Sequence, residues 1–226
     1  MNFFSHATLA SWRSADPRFL LGSMLPDLVG MMGTRIEAVT DPELAAGVEY
    51  HHATDAAFHH APVFTQLCAE SMIELTEQAV ERGTARAVAH VGVELLLDGV
   101  LSFDRVARTR YAQALGSALD APLEGRLALR RAGDQLRLQR GIARLQCAPV
   151  PEGFREPDFV AERLRDILGR RPRLALRDGD FEVVRLWAHA TRPRVAAHSC
   201  SLLDQVRQGL ATASTAAPAA ALAADA

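Results

Sequence analysis

Lysine is absent from this chain: all 25 basic residues are arginine. A GC-rich genome accounts for the bias without functional meaning, yet any phosphate recognition must then come from guanidinium groups, backbone amides or a metal. Cysteine is scarce. Cys68, Cys147 and Cys200 are widely spaced and odd in number, which suggests neither a disulfide framework nor a Cys-based zinc knuckle and fits a reducing compartment. No apolar run approaches the roughly 20 residues of a membrane-spanning helix. The N-terminus lacks the charged start and long apolar stretch of a secretory signal, so a cytoplasmic location is expected. No glycine-rich phosphate loop is present, and Ser5, Ser11 and Ser23 lack the context of a nucleophile elbow, which sets covalent serine catalysis aside. Neither sign of charge dominates. With 27 acidic residues against 25 basic ones, the net charge of −2 gives no electrostatic reason to bind nucleic acid.

What the chain does have is helical periodicity. Its 226 residues, 49% of them hydrophobic, can bury one sizeable core, and no Gly/Ser- or Pro-rich linker divides the middle. Strand-like alternation is not evident. The expectation is an all-α, single-domain helical bundle over residues 1–210, with a disordered Ala-rich tail over 211–226. Asp16-Pro17 and Asp41-Pro42 pair an N-cap with a proline at the first helical position. Pro26 should kink or end the first of these helices and turn Asp27 out at a bend. The second should run to about His60 and stop at Ala61-Pro62. Further helices are expected over residues 63–82, ended by Gly83, and from a Thr84 cap to about Phe103. Amphipathic pattern then covers residues 105–145, with breaks near Leu115-Gly116 and Asp120-Ala121-Pro122. A short helix over 158–168 and a last one over 180–210, interrupted at Pro193, complete the pattern.

Two stretches carry chemistry. His51, Asp55 and His59, and then His90, Glu94 and Asp98, each fall at i, i+4, i+8. On a helix each set shares one face and drifts by only about 40° per step. Two such helices packed together would place ionisable groups in an apolar interior, which is costly unless a metal or a hydrogen-bond network satisfies them. The bland readings differ in strength. His6 could be a surface residue of an N-terminal helix, and Asp27 after Pro26 a turn residue. His59 and His60 end their helix, where the dipole favours histidine without any metal. His90, Glu94 and Asp98 lie among valines and leucines, where acids are unusual. Gly92 and Gly99 beside them fit either close approach by a ligand or tight packing of a neighbouring helix. Arg126, Arg130, Arg131, Arg137, Arg140 and Arg144 form a basic stripe, either a solvated face or a docking surface for an acidic partner.

These motifs resemble the acyl carrier protein phosphodiesterase family. Met1-Asn2-Phe3-Phe4-Ser5-His6 is similar to its Met-Asn-Phe-Leu-Ala-His start, and Leu20-Leu21-Gly22-Ser23-Met24-Leu25-Pro26-Asp27 to its following Gly-Asn-Leu-Leu-Ala-Asp-like segment. His51, Asp55 and Pro62 match its His, the Asp four residues on and the Pro seven beyond. Glu94 and Asp98 match a later acidic pair, and Arg170-Arg171-Pro172-Arg173-Leu174 a C-terminal segment. The resemblance covers most of residues 1–210. It departs at His52 and Ala53, where the family has an Arg after the histidine, at Glu94 in place of Asp, and at Gly99 in place of His.

The resemblance implies a helical fold related to the HD-type phosphohydrolases and dependent on a divalent metal. The implied reaction is hydrolysis of the phosphodiester joining 4′-phosphopantetheine to a serine of holo-acyl carrier protein. The expected ligand pool is His6, Asp27, His51, Asp55, His90, Glu94 and Asp98, more than one ion needs. Mixed imidazole and carboxylate donors suit manganese, iron or zinc. Asp27 is expected to bridge ions or act as base, with Asp55 the second choice, and Arg105 or Arg108 to hold phosphate. Two other readings remain open: a hydrolase similar to zinc-dependent phospholipase C, and a non-catalytic helical module that binds a partner.

Overall fold

The computed structural model describes residues 1–121, 123–131, 133–148 and 150–221, with side chains as far as residue 212. In chain order the elements are α1 (Phe3–Arg13), α2 (Pro17–Gly30), β1 (Ile36–Val39), α3 (Pro42–His59), α4 (Pro62–Glu77) and α5 (Arg82–Leu101). They continue with α6 (Arg105–Asp120), β2 (Leu127–Leu129), α7 (Asp134–Cys147), the single turn α8 (Val150–Gly153), α9 (Pro157–Gly169) and α10 (Asp180–Ala221). The chain is mostly helical, as its periodicity predicts. No described helix is long and apolar enough to cross a membrane.

Helix starts follow local chemistry. Asp16 accepts from the Arg18 N–H ahead of α2, and Asp41 from the Glu43 and Leu44 N–H groups ahead of α3, each with a proline at the first helical position. Tertiary packing overrides other local signals. Pro26 neither ends nor interrupts α2, which continues to Gly30, so Asp27 sits on the helix body rather than at a bend. α4 stops at Glu77, where Ala79 adopts a left-handed φ of 65°. Glu81 rather than Thr84 caps α5, and Gly83 lies within its first turn instead of ending α4. α6 passes through Gly116 unbroken.

β1 and β2 pair antiparallel, Ile36 opposite Leu129 and Val39 opposite Leu127, a small sheet that the sequence pattern does not announce. Strands of 3 and 4 residues are too short to display an alternation. Beyond residue 210 the expected disorder gives way to helix as far as Ala221, with Pro193 inside the same α10. Alanine is the strongest helix former, and extending an existing helix needs no new nucleus. Residues 222–226 of the expected tail lie outside the described residues.

Apolar side chains gather on two sides of α1 and α3. Phe4, Leu21, Met24, Leu115, Leu138 and Ile142 fill one side, and Leu75, Val88, Leu96, Val160, Leu164 and Leu202 the other. α1 and α3 contribute to both, through Phe4 and Leu9 on α1 and Leu44 and Phe58 on α3. The two glycines of α5 are explained by packing. A Cβ on Gly92 would lie 2.4 Å from the Trp187 ring, and one on Gly99 2.1 Å from the Phe154 carbonyl oxygen.

The closest helix approach joins α2 to α3. A Cβ on Gly47 would sit 2.2 Å from the Phe19 carbonyl oxygen, and one on Gly22 2.3 Å from that of Leu44. Backbone has no flexible end to yield, so the two helices can touch here only through glycine. Gly47→Ala is expected to destabilise the fold by about 1–3 kcal/mol in chemical denaturation. It should also weaken metal uptake, because His51 lies one turn beyond Gly47. Unchanged stability would contradict this packing.

Candidate metal centre

The helices α1, α2, α3 and α5 bring five of the seven expected ligands together with His59, which lay outside that pool, as two groups, each with its ligand atoms within 4.8 Å of one another; Asp55 and Asp98 belong to neither. The first contains His6 of α1, Asp27 of α2 and His51 of α3. Its imidazoles are buried and Asp27 half-buried: His6 is 0% exposed, and among the described residues neither its Nε2 nor Asp27 Oδ2, 3.8 Å away, has a hydrogen-bond partner. The second contains His59 of α3 with His90 and Glu94 of α5. Here His59 Nε2 lies 3.2 Å from His90 Nε2 and 3.3 Å from Glu94 Oε1, and His90 Nε2 lies 3.1 Å from Glu94 Oε1. This group opens to solvent on its His90 side, whose side chain is 45% exposed.

Hydrogen bonds decide which ring nitrogen faces each group. The Ser23 carbonyl oxygen can only accept, so His51 donates to it through Nδ1–H at 2.9 Å. His59 Nδ1 lies 3.0 Å from the Asp55 carbonyl oxygen and donates in the same way. His6 Nδ1 lies 3.0 Å from Thr54 Oγ1, whose own hydrogen is directed at the Tyr50 and His51 carbonyls, so the imidazole is the donor there too. All three rings therefore direct Nε2 into a group, the arrangement that outer hydrogen bonds impose on metal-ligating histidines.

Asp55, between His51 and His59 on α3, is the carboxylate that touches a residue of each group. Its Oδ1 lies 3.7 Å from His6 Nε2 and its Oδ2 3.3 Å from His59 Nδ1. The Met1 ammonium lies between the acids, 2.9 Å from Asp55 Oδ1 and 3.4 Å from Glu94 Oε1. Asp98 stands apart from both groups. Its oxygens accept from the Ser5 N–H at 2.9 Å, from the Ser5 hydroxyl and from Asn2 Nδ2 at 2.6 Å. Arg105 is exposed and Arg108 is paired with Glu152 at 2.9 Å, so among the described residues neither arginine contacts the groups. His60 turns back to the Ala56 carbonyl, and His52 is exposed beside His51.

The electrostatics distinguish the two groups: the first has neutral imidazoles beside a carboxyl raised by burial, and the second pairs Glu94 with a protonated His59. Burial lowers the His6 pKa to about 3 and that of His51 to about 4, so both imidazoles are neutral and able to donate a lone pair. Burial raises Asp27 to about 7, aided by the charges of Glu94, Asp55 and Asp98. For Asp55, burial acts upward, but the neighbouring His59 and His6 rings and the Met1 ammonium outweigh it and hold the carboxyl well below the usual range. Burial likewise opposes ionisation of Glu94, and His59 and His90 overcome it. His59 is raised to about 9 by Asp55 and then Glu94.

Both groups have donors of the kind and spacing that could hold a divalent ion. Zinc ligands lie about 2.0–2.2 Å from the ion, so two ligands of one ion are at most about 4.4 Å apart. The first group's unpartnered pair falls within that limit, and the second group's near-equilateral triangle matches three ligands on one face of an ion.

No family model, curated protein or solved structure matches the chain. The site stands on its own residues.

His59 is the ligand candidate that its position in the last turn of a helix argues against; its i, i+4, i+8 relation to Asp55 and His51 was the signal for it. Nothing local marks Ser23 or Thr54 as the oxygens that fix the rings. Because the His59 proton must leave before Nε2 can bind a cation, zinc affinity should rise about tenfold per pH unit between pH 6 and 8. Calorimetry in buffers of different ionisation heat should register proton release on binding. A pH-independent affinity would contradict the assignment of His59.

Proposed function

We propose that this protein is a divalent-metal-dependent phosphodiester hydrolase, related to the HD-type phosphohydrolases, that removes 4′-phosphopantetheine from holo-acyl carrier protein. The observation that carries the reading is the convergence of imidazole Nε2 atoms and carboxylates from four helices, with Asp55 in contact with both groups. Donors of this kind suit manganese, iron or zinc. A cation held there would supply Lewis-acid polarisation of a phosphoryl oxygen and acidification of water.

The chain's own residues divide the remaining work. His6, His51 and Asp27 hold the buried position, and His59, His90 and Glu94 the open one. The exposure of His90 gives a phosphate group its approach. Asp55, with Oδ1 toward His6 and Oδ2 against His59 Nδ1, orients the attacking water. Asp27, whose carboxyl burial raises to about 7, keeps the base role expected from sequence. The phosphodiester choice rests on the motif resemblance.

For a carrier-protein substrate the recognition surface is basic. Arg126 is engaged with Asp41, and Arg137 with Asp134 and the Met32 carbonyl. Arg130, Arg131, Arg140 and Arg144 are exposed and have no ion-pair partner among the described residues. Four unpaired guanidinium groups on and beside α7 fit an acidic protein.

Protein incubated with manganese and holo-acyl carrier protein should release the phosphopantetheine arm, seen as the corresponding mass loss. Asp55→Ala should slow release about a hundredfold or more with helix content intact. Arg140→Ala combined with Arg144→Ala should raise KM more than it lowers kcat, and added salt should do the same. A metal-loaded protein that leaves the carrier intact would refute the substrate, and full activity of Asp55→Ala would refute the site.

A further inference from the structure

The sequence offers Asp98 as a metal ligand, yet the structure commits both its oxygens elsewhere. α1 begins at Phe3 without a side-chain cap of its own, since the Asn2 side chain makes no bond to the helix. One first-turn donor, the Ser5 N–H, is satisfied from α5 instead. Asp98 Oδ1 accepts from the Ser5 N–H at 2.9 Å and from the Ser5 hydroxyl, and Oδ2 from Asn2 Nδ2 at 2.6 Å. Asp98 is 0% exposed, so these bonds form without competition from water. The residue after Ser5 is His6, whose orientation on α1 follows from how the first turn is held.

We propose that Asp98 is a positioning residue: it caps α1 from α5 and thereby aims His6 into the buried group. The inference rests on the metal-site reading and changes the role of one of its members. α5 also carries His90 and Glu94, so one carboxylate fixes the His6 position relative to the ligands of the open group. A helix N-terminus held by three hydrogen bonds, all of them to one carboxylate that water does not reach, has little freedom to slide or rotate. Gly99 adds to this by seating α5 directly on the Phe154 backbone.

The test titrates cobalt(II) alone into the full-length, metal-free chain against a chromophoric chelator and follows the visible bands of bound cobalt. In the Asn2→Ala/Ser5→Ala double variant, which alters no ligand, the buried group should bind about 10- to 100-fold more weakly while the open group is unchanged. Asp98→Asn should bind like the wild type. Its amide oxygen still accepts from Ser5, and its NH2 donates to Asn2 once that amide is turned over. Wild-type affinity in the double variant, or a loss in Asp98→Asn as large as in the double variant, would overturn the proposal.

Should the double variant fail to fold by circular dichroism, Ser5→Ala alone must show a smaller loss in the same direction, and no loss overturns it equally. A metal-free readout separates this inference from the reading it rests on. Long-range ¹H–¹⁵N spectra should show His6 as the Nδ1–H tautomer in the wild type and a tautomer mixture when the cap is removed. An unchanged His6 signal refutes the cap, whereas a wild-type chain that takes up no cobalt refutes the metal site.

Discussion

Imidazole lone pairs and carboxylates that face one another in a helical interior are costly unless a proton, an ammonium or a metal ion lies between them. Each buried polar atom without a partner costs about 1–3 kcal/mol, and a charged one more. His6 Nε2 and Asp27 Oδ2 are two such atoms, and they face each other. The outer bonds from His6 to Thr54, His51 to Ser23 and His59 to the Asp55 carbonyl remove the alternative of turning the rings over. Rings fixed in one orientation, with their free nitrogens inward, have the spacing that could hold an ion. The rest of the structure is arranged so that four helices can hold that geometry.

Each helix is held by a different device. α2 and α3 are brought to backbone contact by Gly22 and Gly47, which is what places the Ser23 carbonyl on the His51 ring. α5 is seated by Gly92 against Trp187 and by Gly99 against the Phe154 backbone. α1 is tied to α5 through Asn2, Ser5 and Asp98. α1 and α3, which each bear part of the site, also belong to both apolar clusters, so the site lies where the two sides of the core meet. Its two halves differ in access: one has buried imidazoles beside a half-buried Asp27, and the other opens past His90.

Much of this was legible in the sequence because helical spacing is a geometric fact. His51 with Asp55, and His90 with Glu94, were bound to share a face once their segments were helical, and the Asp-Pro starts of α2 and α3 act locally. What was not legible depends on partners remote in the chain. Asp98 has the spacing of a ligand, but Asn2 and Ser5 occupy its oxygens. His59 at a helix end satisfies the dipole on any local account, and only α5 across from it reveals a second use. Pro26 and Gly116 carry breaker chemistry that packing overrides, and β1 and β2 find each other across nearly ninety residues of chain.

The substrate is the most distant link, because donors that suit one phosphodiester suit others, while the presence of a cation among these side chains is the nearest. X-ray absorption on protein loaded with one equivalent of zinc addresses it most directly. The account expects outer-shell scattering from at least two imidazoles together with carboxylate oxygen. A shell of water oxygens with no imidazole signature would mean that these histidines and acids do not hold an ion, and the account would fail.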